Sequence, residues 1–302
     1  MKLAGYTPQC ALRAAPAVLA LTLYSGAGVA QSVTLPDVHG LAYSADGKRL
    51  IVAVHDGVVA YNAGRWSKDP GPKHDFMGFT ATKKRFYSSG HPARGSGLQN
   101  PLGLIVSGDG GRTWEKRGLE GESDFHTLGA SYETNAIYVY NPAPNSKMKA
   151  PGIYYTLNDG FTWARAEAQG LASAVHAIAV HPSNPRIVAV AAKEGLFLST
   201  NSGDRFERLA EGQALAAFFE PDGGRLVYSM YDGTPRLYRH ALKSRERTEV
   251  RLPRLTRDAV SHIAQNPAAP KEYAIATFER SVFVSSDGGK TWSQIADRGR
   301  AQ

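Results

Sequence analysis

Three histidines and one methionine stand at the starts of short apolar runs along the chain. His39 occurs in VHGL, His126 in FHTL and His176 in VHAI, and Met77 takes the same place in FMGF. Neutral imidazoles and a thioether are a ligand set that suits copper, and imidazoles alone also suit zinc. The pattern predicts a ligand-binding pocket, with copper or zinc as its metal, formed by His39, Met77, His126 and His176.

Two alternatives explain the same residues without a metal. A histidine at the start of a strand can hydrogen-bond the backbone of a neighbouring unit, while a methionine fills a gap in the packing. The residues could also line a pocket for a small organic ligand. His55 and His91 end the second apolar runs of their units, and we expect them at the rim of the same pocket.

Carboxylates near the same positions offer a second kind of chemistry. Two Asp or Glu side chains that flank a glycosidic bond can hydrolyse it as acid and base. For each carboxylate alone, the sequence favours a structural role in which it accepts backbone N–H groups of a loop. The catalytic candidates are Asp37, Asp75, Asp124, Asp258 and Glu279.

A repeated turn indicates which elements hold these residues. The sequence SGDGGRTW at residues 107–114 recurs as TLNDGFTW at 156–163, STNSGDRF at 199–206 and SSDGGKTW at 285–292, and a degenerate copy ends at Trp66. In a tight hairpin, glycine supplies a positive φ and the Asp carboxylate accepts turn N–H groups. The aromatic residue that follows is expected to pack between layers.

The spacing of the turns predicts the architecture. Their final aromatic residues are 48, 49, 43 and 86 residues apart, and the last step is twice 43. One further unit, without a recognisable turn, therefore lies between Phe206 and Trp292. Six units of about 45 residues indicate a propeller or an array of repeats.

The interior of each unit predicts four short strands. The fourth unit shows them at residues 175–180, 186–191, 195–199 and 205–209, and no sustained helical period occurs in the mature chain. We therefore predict an all-β fold, a six-bladed β-propeller of four-stranded antiparallel blades spanning residues 31–302 as a single domain. A seven-bladed alternative requires a unit that the sequence does not contain.

In such a blade, the first strand starts and the second strand ends on one face of the ring, and the repeated turns lie on the other. The histidines and the candidate carboxylates are therefore expected together. The insertions at residues 91–101 and 141–151 join second strands to third strands, so they overhang the same face. Loops of this kind commonly shape pockets.

The first thirty residues predict export. Lys2 and Arg13 precede the apolar stretch at residues 15–23, and the small residues that follow end at Ala30, as in a secretory signal peptide. Without Lys2 and Arg13, the chain's 35 Lys plus Arg and 27 Asp plus Glu leave a net charge of +6. We expect a periplasmic or secreted protein without a transmembrane segment in the mature chain. Its expected partners are a small ligand, a metal, a glycan or another protein rather than nucleic acid.

The turns resemble the Asp-box, or BNR, repeats of sialidases, sortilin-type receptors and photosystem-assembly propellers. The segment DVHGL at 37–41 and the run SSGHPARGSGLQNPLGLIVSGDGG at 88–111 look more closely like small exported bacterial Asp-box proteins catalogued as glycosylhydrolases. The resemblance implies a glycosyl hydrolase if the protein is an enzyme, or a protein-docking scaffold as in the receptors. The Arg-Ile-Pro signature of sialidases is replaced here by Val38-His39-Gly40-Leu41, so the resemblance does not extend to sialidase activity.

Overall fold

The apolar runs of the sequence form the β-strands of six antiparallel sheets. The computed structural model describes residue 1 and residues 33–302, so the predicted signal peptide lies outside the described residues. Every residue of the strands Leu50–Val54 and Val188–Ala192 is buried, because the middle strands of a sheet are covered on both faces. This explains why these segments read as continuous apolar runs rather than as alternating ones.

Each sheet contains four strands in sequence order, and the last sheet gains a fifth. Blades 1 and 2 consist of β1 Gly40–Tyr43, β2 Leu50–Val54, β3 Gly57–Asn62, β4 Arg65–Lys68, β5 Asp75–Ala81, β6 Phe86–His91, β7 Leu104–Ser107 and β8 Glu115–Gly118. Blades 3 and 4 consist of β9 Leu128–Ala130, β10 Ile137–Asn141, β11 Gly152–Thr156, β12 Ala164–Arg165, β13 Val175–Val180, β14 Val188–Ala192, β15 Gly195–Ser199 and β16 Glu207–Glu211. Blades 5 and 6 consist of β17 Gln213–Phe219, β18 Arg225–Tyr231, β19 Pro235–Ala241, β20 Arg247–Val250, β21 Val260–Gln265, β22 Tyr273–Thr277, β23 Val282–Ser285, β24 Ser293–Asp297 and β25 Arg300–Ala301.

The six sheets close into a ring around their first strands. Each first strand contacts the first strand of the next blade, and β21 of the last blade contacts β1 of the first. The N-terminal segment joins the last blade as well, since Thr34 bridges Arg300 and the Leu35 N–H donates to the Gly299 carbonyl at 2.7 Å. The predicted all-β, six-bladed propeller is therefore confirmed, and the described residues contain no helix that could cross a membrane.

The hydrophobic core is divided among the six seams between adjacent blades. The core at the seam of blades 1 and 2, for example, combines Ile51 and Val58 with Phe76, Phe79 and Phe86. Corresponding cores fill the other five seams. Burial of apolar surface contributes about 25 cal/mol per Å², so each blade is stabilised mainly through its two neighbours.

The repeated turns are built from one set of hydrogen bonds. The Ser107 hydroxyl donates to Asp109 at 2.8 Å and accepts the N–H of buried Gly111 at 2.8 Å. The Asp109 carboxylate accepts the N–H groups of Arg112 and Thr113, and the hydroxyl and N–H of Thr113 lower the pKa of Asp109 to about 2. The pattern recurs at Thr156, Asn158, Gly160 and Thr162, at Ser199, Asn201, Gly203 and Arg205, and at Ser285, Asp287, Gly289 and Thr291.

We predict that Ser107→Ala destabilises the protein by about 1–3 kcal/mol, because the buried Gly111 N–H loses its acceptor. The matched control is Ser67→Ala, since Ser67 lies exposed on β4 and should change stability by less than about 0.5 kcal/mol. Urea unfolding followed by tryptophan fluorescence measures both. A Ser107→Ala variant as stable as the Ser67 control would contradict the role given to this hydroxyl.

Candidate functional site

The connections between strands decide which residues share a face of the ring. The start of each first strand and the end of each second strand lie on one face, which we call the upper face, and the repeated turns between third and fourth strands lie on the lower face. The upper face carries both long insertions, between β6 and β7 and between β10 and β11. Its polar side chains therefore come from several blades that are adjacent in space.

Three of them converge at the seam of blades 1 and 2. His39 precedes β1, His55 follows β2, and Asp75 is the first residue of β5. His55 Nδ1 lies 2.9 Å from Asp75 Oδ2, and His39 Nε2 lies 3.5 Å from Asp75 Oδ1. One ligand atom from each of the three residues lies within 4.8 Å of the others. We call this group the first-seam cluster.

Burial makes the first-seam cluster electrostatically unusual. Asp75 is only 9 % exposed, and among the described residues neither Asp75 Oδ1 nor His39 Nε2 has a hydrogen-bond partner. Loss of hydration lowers the pKa of His39, although the charges of Asp75 and Asp37 oppose the shift. His39 is therefore neutral at pH 7 and presents a nitrogen lone pair. A buried, unpartnered carboxylate oxygen is costly unless a proton or a cation occupies the space beside it.

A second group repeats the arrangement at the seam of blades 2 and 3. His91 ends β6, and Asp124 and His126 lie in the segment before β9. Asp124 Oδ2 lies 3.2 Å from His91 Nε2 and 2.7 Å from His126 Nε2. These atoms again fall within 4.8 Å of one another, and within the described chain Asp124 Oδ1 is buried without a hydrogen-bond partner. We call this group the second-seam cluster.

A cavity of about 190 Å³ runs along the axis of the ring. His39, His126 and His176 line it, as the sequence pattern led us to expect for residues at the starts of first strands. His176, however, places Nδ1 2.8 Å from the Ala214 carbonyl of blade 5, which is the backbone contact described by the metal-free alternative. In blade 2 the wall of the cavity is formed by residues 78–81, so the predicted pocket residue Met77 is not part of it. The Met77 carbonyl accepts the Ser88 hydroxyl at 2.8 Å.

The remaining candidate carboxylates are arranged differently. Asp258 Oδ1 accepts the N–H groups of Ala259 at 2.8 Å and Glu279 at 3.0 Å, so Asp258 caps a loop. Asp37 and the Glu279 side chain are exposed. Asp75 and Asp124 are therefore the two candidates that the fold brings together with histidines.

The sequence pattern did not identify His262, which lines the axial cavity beside Ser261. The register of β21 against β22 shifts between Val260 and His262, and such a bulge changes the direction of the side chains around it. The Ser261 hydroxyl lies 3.0 Å from His262 Nδ1. Enclosure by protein, with a smaller effect of His39, lowers the pKa of His262 to about 4. Bulges recur in β13 and β17, but apolar sequence alone gives no sign of their position.

Fold and site together define a six-bladed β-propeller with paired histidine and aspartate groups on its upper face. The solved structures that resemble it are propellers. The GH74 enzyme of Niastella koreensis is 15% identical over 87% of this chain, with a TM-score of 0.59, and the chain spans 46% of that enzyme. An ancestral GH74 enzyme is matched over 39% of its length, so this chain covers less than half of either enzyme.

Two further structures match over most of their own length. YCF48 bound to D1 peptide is 17% identical with a TM-score of 0.51, over 87% of this chain and 83% of that one. The β-propeller domain of Cps50 (Swd1) from Myceliophteria thermophila is 10% identical with a TM-score of 0.56, over 88% of each chain. At these identities the likeness concerns the fold alone. No protein-family model matches the sequence, and no curated protein matches it.

We predict that the His262 ring titrates near pH 4 in the metal-free protein rather than near its usual 6.5. The unfolded chain then binds this proton more readily than the folded chain between pH 6.5 and 4, so His262 makes the protein less stable as the pH falls through that interval. Ring chemical shifts followed by NMR test this, with His262→Asn to assign the resonance. A midpoint near 6.5 would contradict the enclosure of this imidazole.

Proposed function

We propose that the protein is an exported Asp-box propeller whose upper face binds a divalent transition metal at the first-seam cluster. The observation that carries the proposal is the buried, unpartnered pair of His39 Nε2 and Asp75 Oδ1, with His55 Nδ1 2.9 Å from the other oxygen of Asp75. Imidazole nitrogens and carboxylate oxygens are both ligands that divalent transition metals bind. The four matching turns on the lower face support the Asp-box assignment, and the signal-like first thirty residues support export.

The spacing of the ligand atoms fits zinc. Zinc binds histidine nitrogen and carboxylate oxygen at about 2.0–2.2 Å, which places two ligands of a tetrahedral site about 3.3 Å apart. In the first-seam cluster, the separations of 3.5 Å from His39 Nε2 to Asp75 Oδ1 and of 2.9 Å from His55 Nδ1 to Asp75 Oδ2 lie on either side of that value, so the carboxylate could bind through either oxygen. Two nitrogens and one oxygen leave a fourth position for water or a ligand. Copper is the second choice, because a carboxylate accompanies the two imidazoles in this cluster.

The position of the cluster suggests how a bound metal would be used. The His55 side chain is 62% exposed, while His39 and Asp75 are mostly enclosed by blades 1 and 2. Blade 1 supplies both imidazoles and blade 2 supplies the carboxylate, so a metal would bridge the seam. Its open position would be reached from the solvent on the upper face. A small ligand with a lone pair could then bind there.

We predict that zinc binds to the chelator-treated protein and that Asp75→Asn removes one zinc-binding event. His55→Ala should act in the same way with little effect on the fold, since this side chain is 62% exposed. In each variant, the loss of zinc affinity at this site should exceed the 10–100-fold loss typical of residues that only orient a metal ligand. Isothermal titration calorimetry and elemental analysis measure the affinity and the stoichiometry.

The control is Asp232→Asn, an exposed aspartate in the turn after β18 on the same face, which should leave zinc binding unchanged. Equal zinc binding by the wild-type protein, Asp75→Asn and His55→Ala would overturn the proposal. So would a wild-type protein that takes up neither zinc nor copper.

Glycoside hydrolysis is the second candidate function. The observation in its favour is that Asp75 and Asp124 each hold a buried carboxylate oxygen without a hydrogen-bond partner among the described residues. Two of the structural neighbours are GH74 enzymes, which at 15% identity adds only that this fold can carry such an activity.

This second candidate predicts that the protein hydrolyses at least one member of a fluorogenic glycoside panel. Asp75→Asn and Asp124→Asn should each reduce the rate by more than about 100-fold if they act as acid and base. Asp232→Asn again serves as the control. No hydrolysis across the panel, or a rate that both variants retain, would exclude these two carboxylates as glycosidase residues.

A further inference from the structure

The second-seam cluster repeats the chemistry of the first with a separate set of residues. We propose that His91, Asp124 and His126 form a second zinc site, independent of the first, and that Asn100 positions His91 within it. The inference rests on the proposed function for the class of ion only, because the two sites share no ligand. Each site takes its carboxylate from the beginning of the following blade.

The hydrogen bonding of His91 supplies the first argument. Asn100 Oδ1 lies 2.7 Å from His91 Nδ1, so Nδ1 carries a proton and donates it. In the neutral ring, Nε2 then presents a lone pair, and it faces Asp124 Oδ2 at 3.2 Å. A lone pair and a carboxylate oxygen repel each other at this distance. A cation between them removes the repulsion, and an orienting hydrogen bond on the other ring nitrogen is usual for histidines that bind metals.

The geometry of the shared oxygen supplies the second argument. Asp124 Oδ2 also lies 2.7 Å from His126 Nε2, so two imidazole nitrogens approach one carboxylate oxygen. The 3.2 Å separation is close to the separation of about 3.3 Å between two ligands of a tetrahedral zinc ion, whereas 2.7 Å is a hydrogen-bond distance that zinc binding would lengthen. Small rotations of exposed side chains would complete the site. The His126 side chain is 64% exposed, which leaves it free to make that adjustment while Asn100 holds His91.

The environment of Asp124 supplies the third argument. Its side chain is only 18% exposed, and Oδ1 is buried with no hydrogen-bond partner in the described part of the chain. The Asp124 carboxylate therefore has one buried oxygen, Oδ1, without a donor, while both histidines approach its other oxygen, Oδ2. Zinc can bind one or both oxygens, and the exposed histidines leave room for water or an external ligand.

The two sites are expected to differ in one respect. Asn100 belongs to the insertion between β6 and β7 and holds His91 in one tautomer. The second site is therefore partly preorganised by this insertion, which has no counterpart at the first-seam cluster. The first-seam cluster has the more enclosed carboxylate, at 11% side-chain exposure for Asp75 against 18% for Asp124. Replacing Asn100 should therefore weaken only the second site.

Zinc stoichiometry in the chelator-treated full chain tests the inference, measured by native mass spectrometry and titration calorimetry at pH 7.5. The wild-type protein should bind two zinc ions, and Asp75→Asn, Asp124→Asn and His126→Ala should each bind one. The double variant Asp75→Asn with Asp124→Asn should bind none. Asn100→Ala should keep both ions but weaken one of them by about 10–100-fold, as expected for a residue that orients a ligand. Gln99→Ala, the exposed neighbour in the same loop, should change neither.

The outcomes separate this inference from the proposed function. A single zinc that Asp75→Asn removes and Asp124→Asn retains would overturn the second site and leave the first standing. A single zinc with the opposite dependence would overturn the first site and leave the second. If neither Asp124→Asn nor His126→Ala changes the zinc stoichiometry, the second-seam cluster binds no zinc and the inference fails. His126→Ala, at an exposed position, keeps the test valid if Asp124→Asn does not fold.

Discussion

Each blade of this protein can bury its apolar faces only against its two neighbours. The six hydrophobic cores accordingly lie between sheets, and residues such as Val52, Ile137 and Ile275 are completely buried there. Apolar burial of this kind is the dominant favourable contribution to folding, and it is lost at both ends of an open array. Closure of the ring satisfies the first and last blades, and the pairing of Thr34 with Arg300 joins the chain's N-terminal segment to the final sheet.

The same constraint creates the polar clusters. Packing blade against blade brings the end of a second strand beside the beginning of the next first strand, so His55 meets Asp75 and His91 meets Asp124. The carboxylates lie at the edges of the seams, where apolar packing reduces their hydration. Histidines that approach them have to supply protons or share a cation, because an isolated buried charge is unfavourable. The chemistry of the upper face thus follows from the way in which the ring is stabilised.

The lower face serves a different purpose. Its turns use Ser or Thr, then Asp or Asn, to satisfy the backbone N–H groups of a tight hairpin, and glycine takes the left-handed conformation, as at Gly110 with φ 79°. Asn158 and Asn201 replace the carboxylate of Asp109 and keep the same backbone bonds. A charge is therefore not needed for the turn, which supports a structural role for this motif. Repetition along the sequence marks the scaffold, and the less regular upper face carries the candidate sites.

Much of the fold could be predicted from the sequence, because strand periodicity and turn chemistry are local. The strands Val175–Val180, Gly195–Ser199, Tyr273–Thr277 and Val282–Ser285 have the bounds expected from their apolar runs, and even the unit without a turn forms a regular blade. The site could be predicted only in part. Alignment of the units placed His39, His126 and His176 at the axis, yet it could not show that His39 turns toward Asp75 or that His176 contacts the Ala214 carbonyl.

The sequence by itself determined the number of blades, the order of the strands and the face on which the histidines lie, since these depend on spacing along the chain. The tertiary structure decided which histidine meets which carboxylate. Those contacts cross from one blade to the next, and bulges and loop residues such as Asn100 set the final directions of the side chains. Neither feature has a local signal, because each depends on the packing of segments that are distant in the sequence.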